Sequence, residues 1–239
     1  MISMFALEFH SSMARSELAK LQREIIHCEA CPRLRQHCQH VAEIKRRAYQ
    51  DWEYWGKPVP SFGDENARLL LIGLAPGAHG ANRTGQMFTG DASGDFLFRA
   101  LHKAGFASQA ECRSKADGLK LIDAYITGAG RCAPPGNKPN PDELANCRPY
   151  LERELKLLKN LKAIVVLGRI AFDTYFSILR DHGEVSTPSI YKFEHGLVHD
   201  LRPWVICSYH PSQQNTQTGR LTEGMFQNVF ETARRLIAL

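Results

Sequence analysis

Four short, almost wholly apolar runs punctuate the chain: RLLLIGL at 68–74, LIDAYIT at 121–127, KAIVVLG at 162–168 and WVICSY at 204–209. Runs of this length predict strands buried on both faces. The intervals between them carry a longer period. Phe96, Leu97, Ala100 and Leu101 recur at helical spacing, as do Leu144, Leu151, Leu155 and Leu158 behind an Asn140–Pro141 start, and Ala171, Phe172 and Tyr175. Leu18, Leu21 and Ile25 predict an amphipathic first helix over 12–27; Phe226, Val229, Phe230, Ala233 and Ile237 predict a last one. Strands alternating with helices predict an α/β fold, here a three-layer α/β/α sandwich around a central four-stranded parallel sheet. Ligands bind such sheets beyond the carboxyl ends of the strands, which directs attention to 73–91, 128–140, 168–170 and 209–221.

Composition narrows the class without naming a function. With 239 residues, 44% of them hydrophobic and 23% charged, the chain reads as one compact globular domain over 1–239. No apolar run approaches the ~20 residues of a membrane span, so a cytoplasmic protein with no membrane partner is expected. A net charge of +5 is compatible with a polyanionic partner but does not require one. No heptad or long exposed apolar stripe announces a subunit interface, so a monomer is expected. Lys45, Arg46 and Arg47 stand close to Trp52, Tyr54 and Trp55. Basic residues beside aromatics can stack nucleic acid, but a solvated helix face followed by a structural cover is the favoured reading.

Seven cysteines, with no secretory pattern expected, point to reduced or metal-bound thiols rather than a disulfide framework. Cys28 and Cys31 form a tight CxxC pair, and Cys132 and Cys147 a second pair a hundred residues on. Four thiolates suit either a 4Fe-4S cluster or a structural zinc, and spacing does not separate the two. Cys38 could compete as a ligand, whereas Cys112 and Cys207 read as packing residues.

The strand-end loops hold the candidate chemistry. After the first strand, GLAPGAHGANRTGQMFTGD places Gly73, Gly77, Gly80 and Gly85 where backbone can approach a small ligand, with His79, Asn82 and Arg83 as polar contacts. The loop lacks the Lys-Ser/Thr ending of a phosphate loop and the dinucleotide glycine spacing. Phe88 precedes a helix whose cap is Asp91 or Ser93. After the second strand, Pro134, Pro135, Gly136 and Pro139 stiffen a turn presenting Asn137. After the fourth, His210 stands at a strand end, followed by Ser212, Gln213, Gln214 and Asn215.

Taken together, GLAPGAHGANRTGQMFTGD, RCAPPGNKP, LGRIAF and YHPSQQNTQTGRLT strongly resemble the family 5 (type B) uracil-DNA glycosylases, over about Cys28 to Met225. The resemblance implies a DNA-repair hydrolase acting on DNA that contains deaminated bases. It also implies one 4Fe-4S cluster on Cys28, Cys31, Cys132 and Cys147, which favours iron over zinc and staples the segment of about 12–60 to the sheet. The superfamily's water-positioning carboxylate has no counterpart here, where Leu74, Ala75 and Pro76 stand. Gly128 occupies the strand end where another member has an Asn, and Asn137 is implicated instead. His210 is then expected to donate to the uracil O2 as the base departs, with Asn137 and Asn82 positioning water or base. Phe88 would stack on the flipped base, with Ala75, Gly77 and Gly128 lining the pocket. Small residues at 75 and 128 predict a roomier pocket that also admits hypoxanthine or xanthine. Gln214 or Leu221 would fill the vacated stack, and Arg83, Arg169, Lys138 and Arg220 would meet phosphates. A non-catalytic iron-sulfur protein that binds nucleic acid or transfers electrons is the rival reading, and a member that stays covalently attached to DNA is another.

Overall fold

The structure, a computed structural model, describes residues 17–239. A helix over 17–26 (α1) leads into α2 (Pro32–Ile44) and, after an aromatic turn, a two-residue strand β1 (Phe62–Gly63). There follow β2 (Leu69–Gly73), α3 (Ala81–Thr84), α4 (Ala92–Lys103), β3 (Ala124–Gly128), α5 (Pro141–Leu157), β4 (Ala163–Leu167) and α6 (Arg169–Asp181). The chain ends with β5 (Val198–His199), β6 (Trp204–Ser208), α7 (Gln213–Gln217) and α8 (Glu223–Ala238). Residues 12–16 of the expected first helix lie outside the described residues.

The sheet runs β1-β3-β2-β4-β6-β5, and the inner four strands are parallel, as the apolar runs predict. Two antiparallel strands of two residues each enlarge the expected four-stranded sheet to six and close its edges. So short a strand carries no period of its own; only the neighbour it pairs with makes it one. β3 also begins later than the run at 121–127 suggests. Asp123 adopts a left-handed conformation with φ of 56° and accepts the Arg68 guanidinium at 2.7 Å, so it interrupts the extended run.

Alternation along the inner strands divides the core between two helical layers. Leu69, Leu71, Ile126 and Val165 face Phe98 of α4 and Phe226 and Phe230 of α8. Leu70, Ile72, Ile164 and Val166 face Leu18 of α1, Leu151 of α5 and Phe172 of α6. Each such side chain contributes about 1.5–3 kcal/mol on burial. The helices start at caps: Asp91 for α4, a capping box of Asn140 with Glu143 for α5, and Thr222 for α8.

A buried polar network joins α1 and α5 to β3. Arg131, 1% exposed, pairs with fully buried Glu154 at 2.7 Å and donates to Ser61 Oγ. Glu154 also accepts from Thr127 Oγ1 at 2.6 Å, and Gln22 donates to the Tyr125 hydroxyl at 2.8 Å. Breaking such a pair leaves an uncompensated buried charge, so the network fixes one register of these elements. The aromatic segment after α2 is the cover that its sequence suggests. Its Tyr49 and Trp52 rings lie 3.9 Å and 4.1 Å from the Arg83 guanidinium, and the Trp55 indole donates to Pro58 O at 3.0 Å. Among the described residues no helix is long and apolar enough to cross a membrane.

Candidate active site

At the carboxyl edge of the sheet, pairing between β2 and β3 continues past the strands. Ala129 N donates to Gly73 O at 2.9 Å and Gly130 N to Leu74 O at 2.8 Å, so the two loops run side by side and bring Ala75 against Gly130. On the other flank Gly168 N donates to Ser208 O at 2.8 Å, which carries the start of α6 up to His210. Gly168 sits at φ of +95°, and a Cβ there would come within 3.3 Å of the His210 Cβ. Glycine therefore serves both backbone conformation and close approach at this position.

Phe88 and His210, 122 residues apart in sequence, stack with ring centroids 5.8 Å apart and planes 29° apart. Phe88 takes the left-handed conformation at φ of 55°, and its ring lies on Gly73, where a Cβ would be 2.8 Å from two ring carbons. A phenylalanine with positive φ is an outlier that its surroundings must impose. Here Gly94 receives the Phe88 carbonyl so closely that any side chain on it would collide. Burial holds His210 at about 4, far below the ordinary histidine value, so its ring is neutral at physiological pH. Among the described residues neither ring nitrogen has a hydrogen-bond partner, leaving one N–H for a ligand. Asn215 Nδ2 donates to His210 O at 2.8 Å and holds the backbone. Just before it, Tyr209 N donates to His195 Nδ1 at 3.1 Å, and the His195 ring stacks on Tyr209. Neither positioning role is signalled by sequence, because each depends on a partner in another loop.

Asp91 is the other group that sequence presents only as a cap. One carboxylate oxygen accepts from Gly94 N at 3.0 Å; the other lies against the Gly77–Gly80 turn, where Cβ atoms would be 2.7 Å and 1.9 Å away. Burial raises its pKa. A carboxylate thus stands beneath the glycine loop, although the loop's own strand end offers none.

Other expected positions divide. Ala75 and Gly77 are partly exposed along the loop, and Asn137 is exposed at φ of 58° on its stiff turn. Gly128 is buried, but the Gly130 carbonyl and Met87 methyl occupy the space a side chain would take, 3.0 Å and 3.5 Å from its Cβ position. It allows close packing rather than opening room. Asn82 is fully buried, with its amide nitrogen donating to Cys38 O at 3.3 Å and Ala78 O at 3.4 Å, so it ties the glycine loop to α2, while its Oδ1 has no partner among the described residues. Arg83 is 3% exposed beneath Tyr49 and Trp52, with Nε donating to His79 O and Nη2 to Gly90 O, so burial keeps it from serving as a surface phosphate contact. Leu221, 1% exposed, packs in the core on the α8 side and is not the exposed wedge expected of it. Gln214 and Arg220 are exposed, the latter 4.6 Å over the Tyr209 ring; Lys138 is exposed too, and Arg169 pairs with Asp173 at 2.8 Å.

The four expected cysteine ligands sit on neighbouring elements. Cys28 and Cys31 precede α2, Cys132 follows β3, and Cys147 lies in the second turn of α5. Asn146 Nδ2 approaches Cys31 Sγ at 3.4 Å. Burial raises Cys147, with the Cys31 and Cys28 thiols adding to the rise; Cys38, then burial and Cys147, raise Cys132. Cys38 turns toward Ala133 O at 3.6 Å. Among the described residues no three His, Cys, Asp or Glu side chains converge at the spacing of a single metal ion.

Residues 60–234 match the model of the uracil DNA glycosylase superfamily. The chain is 47% identical over 225 residues to the type-5 uracil-DNA glycosylase of Mycobacterium leprae, covering 93% of this chain and 96% of the relative. It is 48% identical over 214 residues to the type-5 enzyme of Thermus thermophilus, covering 89% and 94%. To the type-4 uracil-DNA glycosylase of Archaeoglobus fulgidus it is 33% identical over 160 residues, covering 64% and 70%. With a superfamily match over most of its length and likeness to type-5 enzymes over about nine-tenths of it, the chain belongs to the uracil DNA glycosylase superfamily, among its type-5 members.

Proposed function

We propose that the protein hydrolyses the N-glycosidic bond of uracil in DNA and, with the small, partly exposed Ala75 rather than Gly128 leaving room, of hypoxanthine or xanthine, leaving an abasic site. The observation that carries the reading is a neutral His210 with unpartnered ring nitrogens, stacked on Phe88 at the carboxyl edge of the sheet. Cleavage moves negative charge onto the departing base and positive charge onto the sugar. A neutral imidazole N–H held in a desolvated place stabilises a developing anion without reorganising, whereas a cationic ring there would bear a heavy burial penalty. Phe88, partly exposed beside His210, offers an aromatic surface for a base turned out of the duplex. The Asp91 carboxylate, under the glycine loop, is the group able to orient the attacking water, and its raised pKa suits a proton acceptor. Asn137, on a stiff exposed turn, contacts the base or that water when DNA closes over it.

The same reading includes a 4Fe-4S cluster held by Cys28, Cys31, Cys132 and Cys147. Its support is the placement of four thiols on neighbouring elements, two ahead of α2, one after β3 and one in α5, and the preference of iron-sulfur clusters for cysteine thiolates. A bound cluster would offset the cost of ionising Cys132 and Cys147, whose thiols burial and their neighbours raise. Held by these cysteines, it would tie the segment from Cys28 to α2 to β3 and α5, and every step of the hydrolysis argued above belongs to the protein's own residues. DNA as partner follows from the reaction, and the protein acts as a monomer in the cytoplasm.

Labelled duplexes containing uracil, hypoxanthine, xanthine or only normal bases test the activity. Protein purified without oxygen is incubated with each, followed by alkali. Strand breaks at uracil and at one of the purine products are expected. No break at any lesion refutes the reading, and breaks at uracil alone refute its wider range.

A further inference from the structure

The basic segment after α2 is a cover for the glycine loop, yet its outward face has no role in that packing. We propose that Arg46, together with Arg47 and the outer nitrogen of His79, forms a DNA-backbone contact on the β2 side of the pocket mouth. The inference rests on the DNA reading above and assigns the surface that grips the strand.

Several observations converge on it. The Arg46 main-chain N–H donates to the Tyr54 hydroxyl at 3.3 Å, and that hydroxyl meets His79 Nδ1 at 3.1 Å. With one lone pair of the hydroxyl taken by Arg46, its hydrogen and its second lone pair both remain for Nδ1, so either tautomer of His79 keeps this contact and leaves Nε2 on the outer side of the ring. His79 belongs to the loop that follows β2, and its carbonyl accepts Arg83 Nε at 2.8 Å, so Arg46 is anchored through Tyr54 to the wall of the pocket. Arg46 and Arg47 are exposed and, among the described residues, neither they nor Lys45 makes an ion pair. By contrast Arg33, Arg68, Arg148 and Arg153 are each matched to a carboxylate. The exposed acids of the same segment, Glu43, Asp51 and Glu53, are not drawn onto these arginines either. The surroundings of His79 are cationic: after burial, Arg46, Arg83 and His37 lower its pKa, which places the Arg46 charge beside this ring. Arg220, exposed over Tyr209, stands beyond β6. With β4 between β2 and β6 in the sheet, unpaired arginines flank the pocket on both sides. A duplex distorted to release one nucleotide presents phosphates on both sides of the gap, which is the chemistry such a pair of flanks fits.

The test is the salt dependence of binding, by fluorescence anisotropy, to a duplex bearing a stable tetrahydrofuran abasic analogue. Each phosphate neutralised contributes about 0.9 to the slope of log affinity against log salt. Arg46→Gln is expected to flatten the slope by about one contact, so between 50 and 200 mM salt it loses about 3.5-fold less affinity than wild type. Arg46→Gln/Arg47→Gln is expected to flatten it further, and Arg235→Gln, an exposed arginine on α8, to leave it unchanged. An Arg46→Gln slope equal to wild type overturns the proposal, as does an equal flattening by Arg235→Gln, which would reduce the effect to net charge. Wild-type protein that binds the duplex but excises nothing refutes the glycosylase reading instead, so the two failures are distinguishable.

Discussion

Replacing His210 with Asn isolates the protonation of one buried ring. Folding lowers the His210 pKa from 6.5 to about 4. Between those values the unfolded chain binds a proton that the folded chain refuses, so folding is favoured fully above pH 6.5 and progressively less as pH falls toward 4. A gap of about 2.5 units at about 1.4 kcal/mol each gives an upper value of about 3 kcal/mol. The Asn variant has no such term. Urea midpoints for both proteins between pH 4.5 and 7.5 give the difference directly; His195 and His199, which burial also lowers, are common to both and cancel. Wild type should lose about 2–3 kcal/mol more than the variant over that range, on top of a constant offset from the lost stack on Phe88. Parallel curves would refute the buried neutral ring. In wild type, single-turnover excision should show no inflection near pH 6.5, because His210 is neutral throughout; a rate that rises through an ordinary histidine value would refute the donor role as argued.

Gly73→Ala places a methyl 2.8 Å from the Phe88 ring and tilts it off His210; single-turnover excision should fall about 10- to 100-fold, about 1.4–2.7 kcal/mol of transition-state stabilisation, while circular dichroism shows a folded sheet. Arg131→Met strands the Glu154 carboxylate in the core and should cost about 3–5 kcal/mol in urea unfolding, much of it recovered by Arg131→Met/Glu154→Leu. Cys147→Ser should remove iron and sulfide on analysis and abolish visible absorption, whereas Cys38→Ser should keep both; equal loss in the two would reassign the ligand set.

The inner fold was legible because its elements are local. A five-residue apolar run such as AIVVL can only be buried on both faces, and the stripe from Phe226 to Ile237 repeats at helical period whatever it packs against. The caps at Asp91 and Asn140 are equally local, set by the few residues that follow them. By itself the sequence also determined that His210, Phe88, Ala75 and Asn137 lie in loops at one edge, since parallel strands send their connections there. Side-chain direction was decided by tertiary structure. Asn82 and Arg83 follow a glycine loop, as functional residues do, yet α2 and the aromatic cover draw both inward, and Leu221 is taken by the core beneath α8. Asp91, Asn215 and His195 gained roles at the site from partners distant in sequence or from a turn folded over them. Hydrophobic period and backbone preference act over a few residues, so a chain records them openly. Which polar group faces the pocket depends on how separate loops share buried donors and acceptors, and that balance exists only after the sheet has brought them together.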